Sequence, residues 1–414
     1  MINVKKQLSL TPVQEFEGTW KQAIGDSIIN FSAAGYFFAK RLHKKLNVPI
    51  GIIHASWGGT DIEAWTSRAK LSTLDVLDDT MSNYGALIEN ASRSHEWFSQ
   101  FESEKSPSDI WYLFIEDPHG VPEQWKHFDF RDEPYITSKD TDYDSWKQIK
   151  IPGSIDNIYE TNDFDGAILI QKAFTLTAIK GDYSLRLGAV NDMDFTYLNG
   201  ELIGSTMGKP SANTRTYKIP KNILKVGENS IVIRVVNQYK EGNVGSVSLL
   251  HSESAPIDLD GTWNYKVSAE VYHSLSAHSW PYIDFYFYNK ASIDFSKRPA
   301  VTTYNQNSKS SLFNGMINPL VPYNIKGTIW YQGENNVPRF KEYEQLFPAL
   351  ITDWRNQWAR DFPFYFVQIA PFEYHNGLSS SLRDAQRKTL KLPKTGMVVT
   401  LDIGEDNDIH PSNK

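Results

Sequence analysis

The chain has 414 residues, 40% of them apolar and 13% aromatic, with a formal net charge of −7. That length calls for two domains rather than one core, and an acidic balance with no basic stripe argues against a nucleic-acid partner. The absence of cysteine excludes disulfides, thiolate metal sites and a thiol nucleophile, no run of 18 apolar residues is available to span a membrane, and the opening Met1–Leu10 lacks the apolar centre of a secretion signal.

Residues 32–60 read as helix, turn and strand. Ser32 is placed to cap a helix in which Phe38, Leu42 and Leu46 recur at four-residue spacing. Pro49 ends it, and Ile50-Gly51-Ile52-Ile53 is a short buried strand. Ser56-Trp57-Gly58-Gly59-Thr60 then forms a loop at the strand's C-terminal edge, where open α/β sheets place their ligands. From about residue 125 the pattern changes to short β-rich runs separated by Gly, Pro and Asp turns. Ser184–Leu187 alternates, Phe195–Leu198 runs into the hairpin signal Asn199-Gly200, and Ser230–Val236 is another strand. No long helical period interrupts residues 165–250, so this stretch is expected to be a β-sandwich of jelly-roll type. From about residue 312 the α/β pattern returns, with a strand at Ile325–Tyr331 and a periodic helix through Tyr343, Leu346, Phe347, Leu350, Ile351, Trp354 and Trp358. A strand at Phe364–Ile369, a helix over 381–391 and a last strand at Met397–Leu401 follow. The expected organisation is one α/β domain, residues 1–115 and 256–414, interrupted by a β-sandwich at 120–255.

Polar residues gather at three strand ends: Ser56–Thr60, Gln332-Gly333-Glu334-Asn335-Asn336, and Asp408-Ile409-His410-Pro411. Together with Phe31–Phe38, Glu63-Ala64-Trp65, Ile329-Trp330-Tyr331 and Asn191-Asp192-Met193-Asp194, they give the chain its resemblance. It resembles the sialate O-acetylesterases of the SGNH (GDSL-like) hydrolase superfamily nearly end to end. The resemblance implies a parallel sheet flanked by helices with an inserted, galactose-binding-like jelly roll. It also implies removal of O-acetyl groups from sialic acid or a related sugar by serine-type hydrolysis, with no metal or cofactor.

Carried over by position, His410 is the base and glycine in Gly58-Gly59 offers a backbone N–H to the oxyanion. A second donor comes from Asn336 or Asn335. Asn336 is preferred because the family commonly has serine where Asn335 stands. The superfamily's acid three residues before the histidine is replaced here by Asn407. Asp408, Glu334 or a dyad with no acid are the alternatives, and Gln332 joins the substrate-binding set.

The family's nucleophile motif, Gly-Gln-Ser-Asn, does not occur in this sequence. The expectation is a chain cut at both ends that lacks its attacking serine, from a secreted or periplasmic parent. Gly25-Asp26-Ser27 spells the superfamily's GDS. The polar run Glu17–Gln22 before it, however, is not the buried strand that a nucleophile elbow needs. Ser56 is a weaker candidate. Trp57, Trp65 and Trp330 read as core, Asp192 and Asp194 as turn formers, and Glu334 with Asn336 as a possible helix-capping box. The histidines show no metal-ligand spacing. The rival readings are a glycan-binding module, which the 12 Trp and 21 Tyr would suit, and a glycosidase, for which no carboxylate pair stands out.

Overall fold

The computed structural model describes residues 1–77, 84–107, 121–138, 140–159, 164–207, 213–238, 241–272, 283–289, 293–302, 304–372 and 377–405. It is a mixed helix and sheet protein. The described residues of 1–89 and 304–414 form one compact unit and those of 90–303 the other.

In the first unit Ile2–Asn3 pairs in parallel with Ile53–His54. Thr328–Tyr331, Phe364–Val367 and Thr395–Val398 make a three-stranded parallel sheet in that order. Helix Phe340–Gln357 connects the first two of these strands and buries Tyr343, Leu346, Phe347, Leu350, Ile351 and Trp354. The spacing of three and four residues predicts that stripe. It packs on Trp330, Phe364 and Phe366. Phe347 meets Phe366 edge-on at 4.9 Å and Trp354 meets Trp330 at 5.6 Å. Because side chains alternate along a strand, Ile329, Tyr331 and Tyr365 fall on the opposite face and are exposed.

Helix Ala33–Leu46 is capped as the sequence suggests, with the Ser32 hydroxyl accepting from Gly35 N at 3.1 Å. It stops at Asn47, which takes the left-handed conformation (φ 52°), before Pro49 is reached. The strand expected over 50–53 is found at Ile53–His54 instead. Its partner contributes only two residues, and Ile2 N to Ile52 O (3.0 Å) and Val4 N to His54 O (2.9 Å) close the pairing.

The second unit is built from antiparallel sheets. The larger runs through 103–105, 284–287, 261–271, 166–176, 227–237, 193–198 and 201–206, with 147–151 also on 261–271. The smaller runs through 215–218, 183–187, 247–251 and 257–258. Ile168, Ile170, Ile231 and Ile233 of the larger sheet share one core with Leu185, Leu187, Val247 and Leu249 of the smaller. The intervening Leu169 and Val232 point the other way and are covered by Ile136. The hairpin at Asn199-Gly200 has φ of 51° and 87°, the two positive values that this dipeptide favours.

Asp194 lies within strand Met193–Leu198 rather than in a turn, while Asp192 sits in the bend just before it. Both are buried, at 2% and 0% exposure. Asp194 pairs with Arg215 at 2.8 Å and accepts from Thr196 Oγ1 and Tyr217 OH. Asp192 accepts from Gln238 N at 2.8 Å. Burial with only partial compensation pushes the Asp192 carboxyl up to about 6.

Candidate functional site

The loop after Ile53–His54 is braced from beneath. Thr60 Oγ1 donates to Trp57 O at 2.7 Å, and the Trp65 indole N–H donates to Thr60 Oγ1 at 2.9 Å. Trp57, Trp65 and Trp330 are buried, as core residues should be. Gly58 and Gly59 are exposed. Gly59 has φ of 66°, which favours glycine. A Cβ placed on either would meet nothing within 4 Å, so the loop faces open space.

The second loop is held against the first by side chains that the sequence places far apart. Gln332 Nε2 donates to Thr60 O (2.9 Å) and Asn336 Oδ1 (2.8 Å). Asn336 Oδ1 also accepts from Ile62 N at 2.9 Å, while its amide donates to Glu63 Oε2 at 2.9 Å. Asn335 Nδ2 donates to Asp61 Oδ1 at 2.5 Å. Arg339 spans both acids, bonding Glu63 and lying 3.0 Å from Asp61. Gly333 permits this approach. Its φ is 146°, and a Cβ there would come within 2.9 Å of Ile369 and Leu382.

These charges tune one another. Burial raises the Asp61 carboxyl, and the neighbouring Glu63 adds to the rise, with Arg339 opposing it. Burial alone would lower Arg339, but Glu63 and Asp61 outweigh it and hold the guanidinium above its ordinary value.

Two of the three sequence-predicted loops therefore come together, and the third, with Asp408 and His410, lies outside the described residues. Gln332 is buried and ties the two loops, with Tyr343 OH donating to its Oε1 at 3.2 Å. Asn336 is fully buried and its amide is taken by Glu63, so in this arrangement it presents no donor at the surface. Asn335 is exposed. Glu334 is half-buried in the first turn of the short helix Glu334–Arg339. That helix starts on Gly333 with no side-chain cap, so the capping-box reading is corrected. Ser27 Oγ lies 2.6 Å from Ile24 O and also bonds Gln22 O, which ties it into its own turn, with no imidazole among its partners in the described residues.

Sequence reasoning missed Asp61, Glu63 and Arg339 as a unit. Glu63-Ala64-Trp65 stood out as a motif, but its partner Arg339 is 276 residues away. It also missed a relay at the edge of the glycine loop. Ser56 Oγ lies 2.6 Å from His54 Nε2, and His54 Nδ1 lies 2.9 Å from Asn3 Oδ1. Burial, and then Lys6, lower the His54 imidazole and favour its neutral form. Among the described residues no cluster of three His or acidic side chains is placed to hold a metal ion, and no helix is long and apolar enough to cross a membrane.

Comparison with known proteins places a family on this frame. Residues 300–414 match the family described as carbohydrate esterase, sialic acid-specific acetylesterase. The chain is similar to the sialate O-acetylesterase of Mus musculus, 32% identical over 147 residues, covering 30% of this chain and 27% of that protein. It is also similar to that of Rattus norvegicus, 35% identical over 127 residues, covering 25% and 23%. The matched stretches thus cover about a quarter of these relatives' own lengths. Among solved structures, a carbohydrate acetylesterase from Xanthomonas citri aligns over 60% of this chain and 68% of its own, at 17% identity and a TM-score of 0.26.

Proposed function

We propose that the chain, whose residues 300–414 match the sialic acid-specific carbohydrate acetylesterase family, forms the oxyanion-binding and base-bearing part of an esterase of that family. The reaction is serine-type removal of O-acetyl groups from sialic acid or a related sugar. The observation that carries this reading is the union of the two loops. Gly58-Gly59 opens on free space while Gln332, Asn336 and Arg339 fix it against the 332–339 segment. Rigid backbone donors facing an open site are what a developing oxyanion requires.

In the proposed site, N–H groups of Gly58 and Gly59 hold the acetyl oxygen. Asn336 or Asn335 supplies the side-chain donor, and either would have to share an amide that now bonds an acid, Glu63 for Asn336 and Asp61 for Asn335. Asn336 and Gln332 keep the loops in register. His410 is the base, oriented by Asp408 or Glu334. The parallel strands are read as an SGNH-type sheet and residues 120–255 as its inserted jelly roll. The parent protein is read as secreted or periplasmic.

A second reading comes from the Ser56–His54–Asn3 relay, whose order and distances suit a hydroxyl nucleophile, its base and an orienting amide. Here Ser56 Oγ would pass its proton to His54 Nε2 and attack the acetyl carbon. The sugar oxygen would leave with that proton, and water would then release acetate.

Acetate release from O-acetylated N-acetylneuraminic acid, with His410→Ala and Ser56→Ala beside the unmodified chain, separates the readings. Release lost in Ser56→Ala alone selects the relay. Release lost in His410→Ala alone selects the family base with another serine. Binding of the acetylated sugar without release fits the first reading with no serine supplied. Neither binding nor release overturns both.

A further inference from the structure

A second site is built into the unit formed by the described residues of 90–303. Strand Gly261–Val271 carries two neighbours along the same edge. Lys147–Ile151 pairs with 261–265 and Asp284–Phe287 with 269–271. Lys266 and Val267 fall in the gap between them, with no strand partner on that side. A cleft of about 670 Å³ opens there, lined by Lys266 and by the rings of Tyr135, Trp146, Tyr159, Tyr265 and Tyr288. That volume falls in the range of about 300–1,000 Å³ typical of small-molecule sites.

The chemistry of the walls is selective. Arg298, beneath the cleft, is already committed. It pairs with buried Glu270, which also accepts from Tyr288 OH at 2.5 Å, and it stacks 3.8 Å over the Tyr159 ring. Lys266 differs. Its ammonium stands 4.6 Å over the Tyr135 ring, and no carboxylate among the described residues pairs with it. The acids of the lining, Asp140 and Asp142, are exposed. Burial holds the Lys266 ammonium below its ordinary value. Aromatic walls are flat apolar faces on which a sugar ring can lie, and half-buried Lys266 among them, with exposed Lys147 at the same cleft, favours a ring that carries a carboxylate.

We propose that this cleft binds an acidic sugar of the uronic acid class, with the ring against Trp146 and the carboxylate paired with Lys266. The site is separate from the acetyl-ester chemistry and stands whether or not that reading holds.

Calorimetric titration of the intact chain with D-glucuronate, and with D-glucose for comparison, tests it. Saturable glucuronate binding is expected. It should weaken about tenfold in Lys266→Met, as loss of one charge-assisted hydrogen bond implies, and weaken also in Trp146→Ala. Glucose should bind more weakly and not respond to Lys266→Met. Thermal unfolding of both variants should match the unmodified chain, and Trp146→Phe replaces Trp146→Ala if it does not. Absence of saturable glucuronate binding, binding unchanged in both variants, or glucose binding as tight as glucuronate would each overturn the proposal.

Discussion

Two acid–arginine clusters in this molecule use the same groups in opposite ways. In the unit of antiparallel sheets Asp194 and Arg215 are sealed, with side chains 0% and 4% exposed. Arg215 also donates to the carbonyls of Val190 (2.9 Å) and Asp192 (3.1 Å). In the parallel-sheet unit Arg339 and Asp61 are 35% and 18% exposed, beside a buried Glu63. The first cluster is closed and has no face left for a ligand. The second keeps one side in water, beneath two glycines that open on free space. An ion cluster left half open next to exposed backbone is where the proposed site lies. A sealed one holds a fold together.

The largest effect expected from this contrast is in the sealed cluster. Asp194→Ala strands a buried guanidinium and should cost about 3–5 kcal/mol in denaturant unfolding. A loss under about 1 kcal/mol would mean that the cluster is not sealed. Gly333→Ala comes next. Its φ of 146° and its 2.9 Å approach to Ile369 and Leu382 predict a loss of about 1–3 kcal/mol. Full stability in that variant would show that the second loop does not need its present geometry.

Asp192 gives a pH signature. Its folded-state value of about 6 lies above the ordinary aspartate value of 3.8. The folded chain therefore binds the proton more tightly, and this group's contribution is present below the unfolded value and lost as pH rises toward 6. Asp192→Asn should flatten the stability profile across that window, by on the order of 2 kcal/mol. An unchanged slope would remove Asp192 as its cause.

At the open cluster Glu63→Gln should cost only about 1 kcal/mol, because Arg339 keeps water and Asp61 as partners. Smallest of all is Gly58→Ala, which meets no atom within 4 Å and should stay within about 0.5 kcal/mol of the parent.

Local signals in the sequence read well and long-range ones did not. The helix Phe340–Gln357 was legible because its apolar residues recur at one period, and the Asn199-Gly200 hairpin because that dipeptide favours one turn. Ser32 announced its helix through a contact three residues away. Asp192 and Asp194 misled because Arg215, which buries them, is more than twenty residues distant and carries no local mark. The partner of Asn336 was hidden for the same reason, since Glu63, which takes its amide, is 273 residues away. The strand near residue 53 was misplaced because Ile2 and Asn3, its partners among the described residues, carry no strand signal of their own in the sequence.

The most direct test of the central claim, that the 56–60 and 332–339 loops form the acetyl-sugar site, is the affinity for O-acetylated N-acetylneuraminic acid with and without Gly58→Leu. It is best made on a Lys266→Met background, so that the cleft beside Lys266 contributes less. The account predicts saturable binding that Gly58→Leu abolishes while the thermal midpoint stays unchanged. Binding that survives Gly58→Leu, or no binding by either chain, would contradict it.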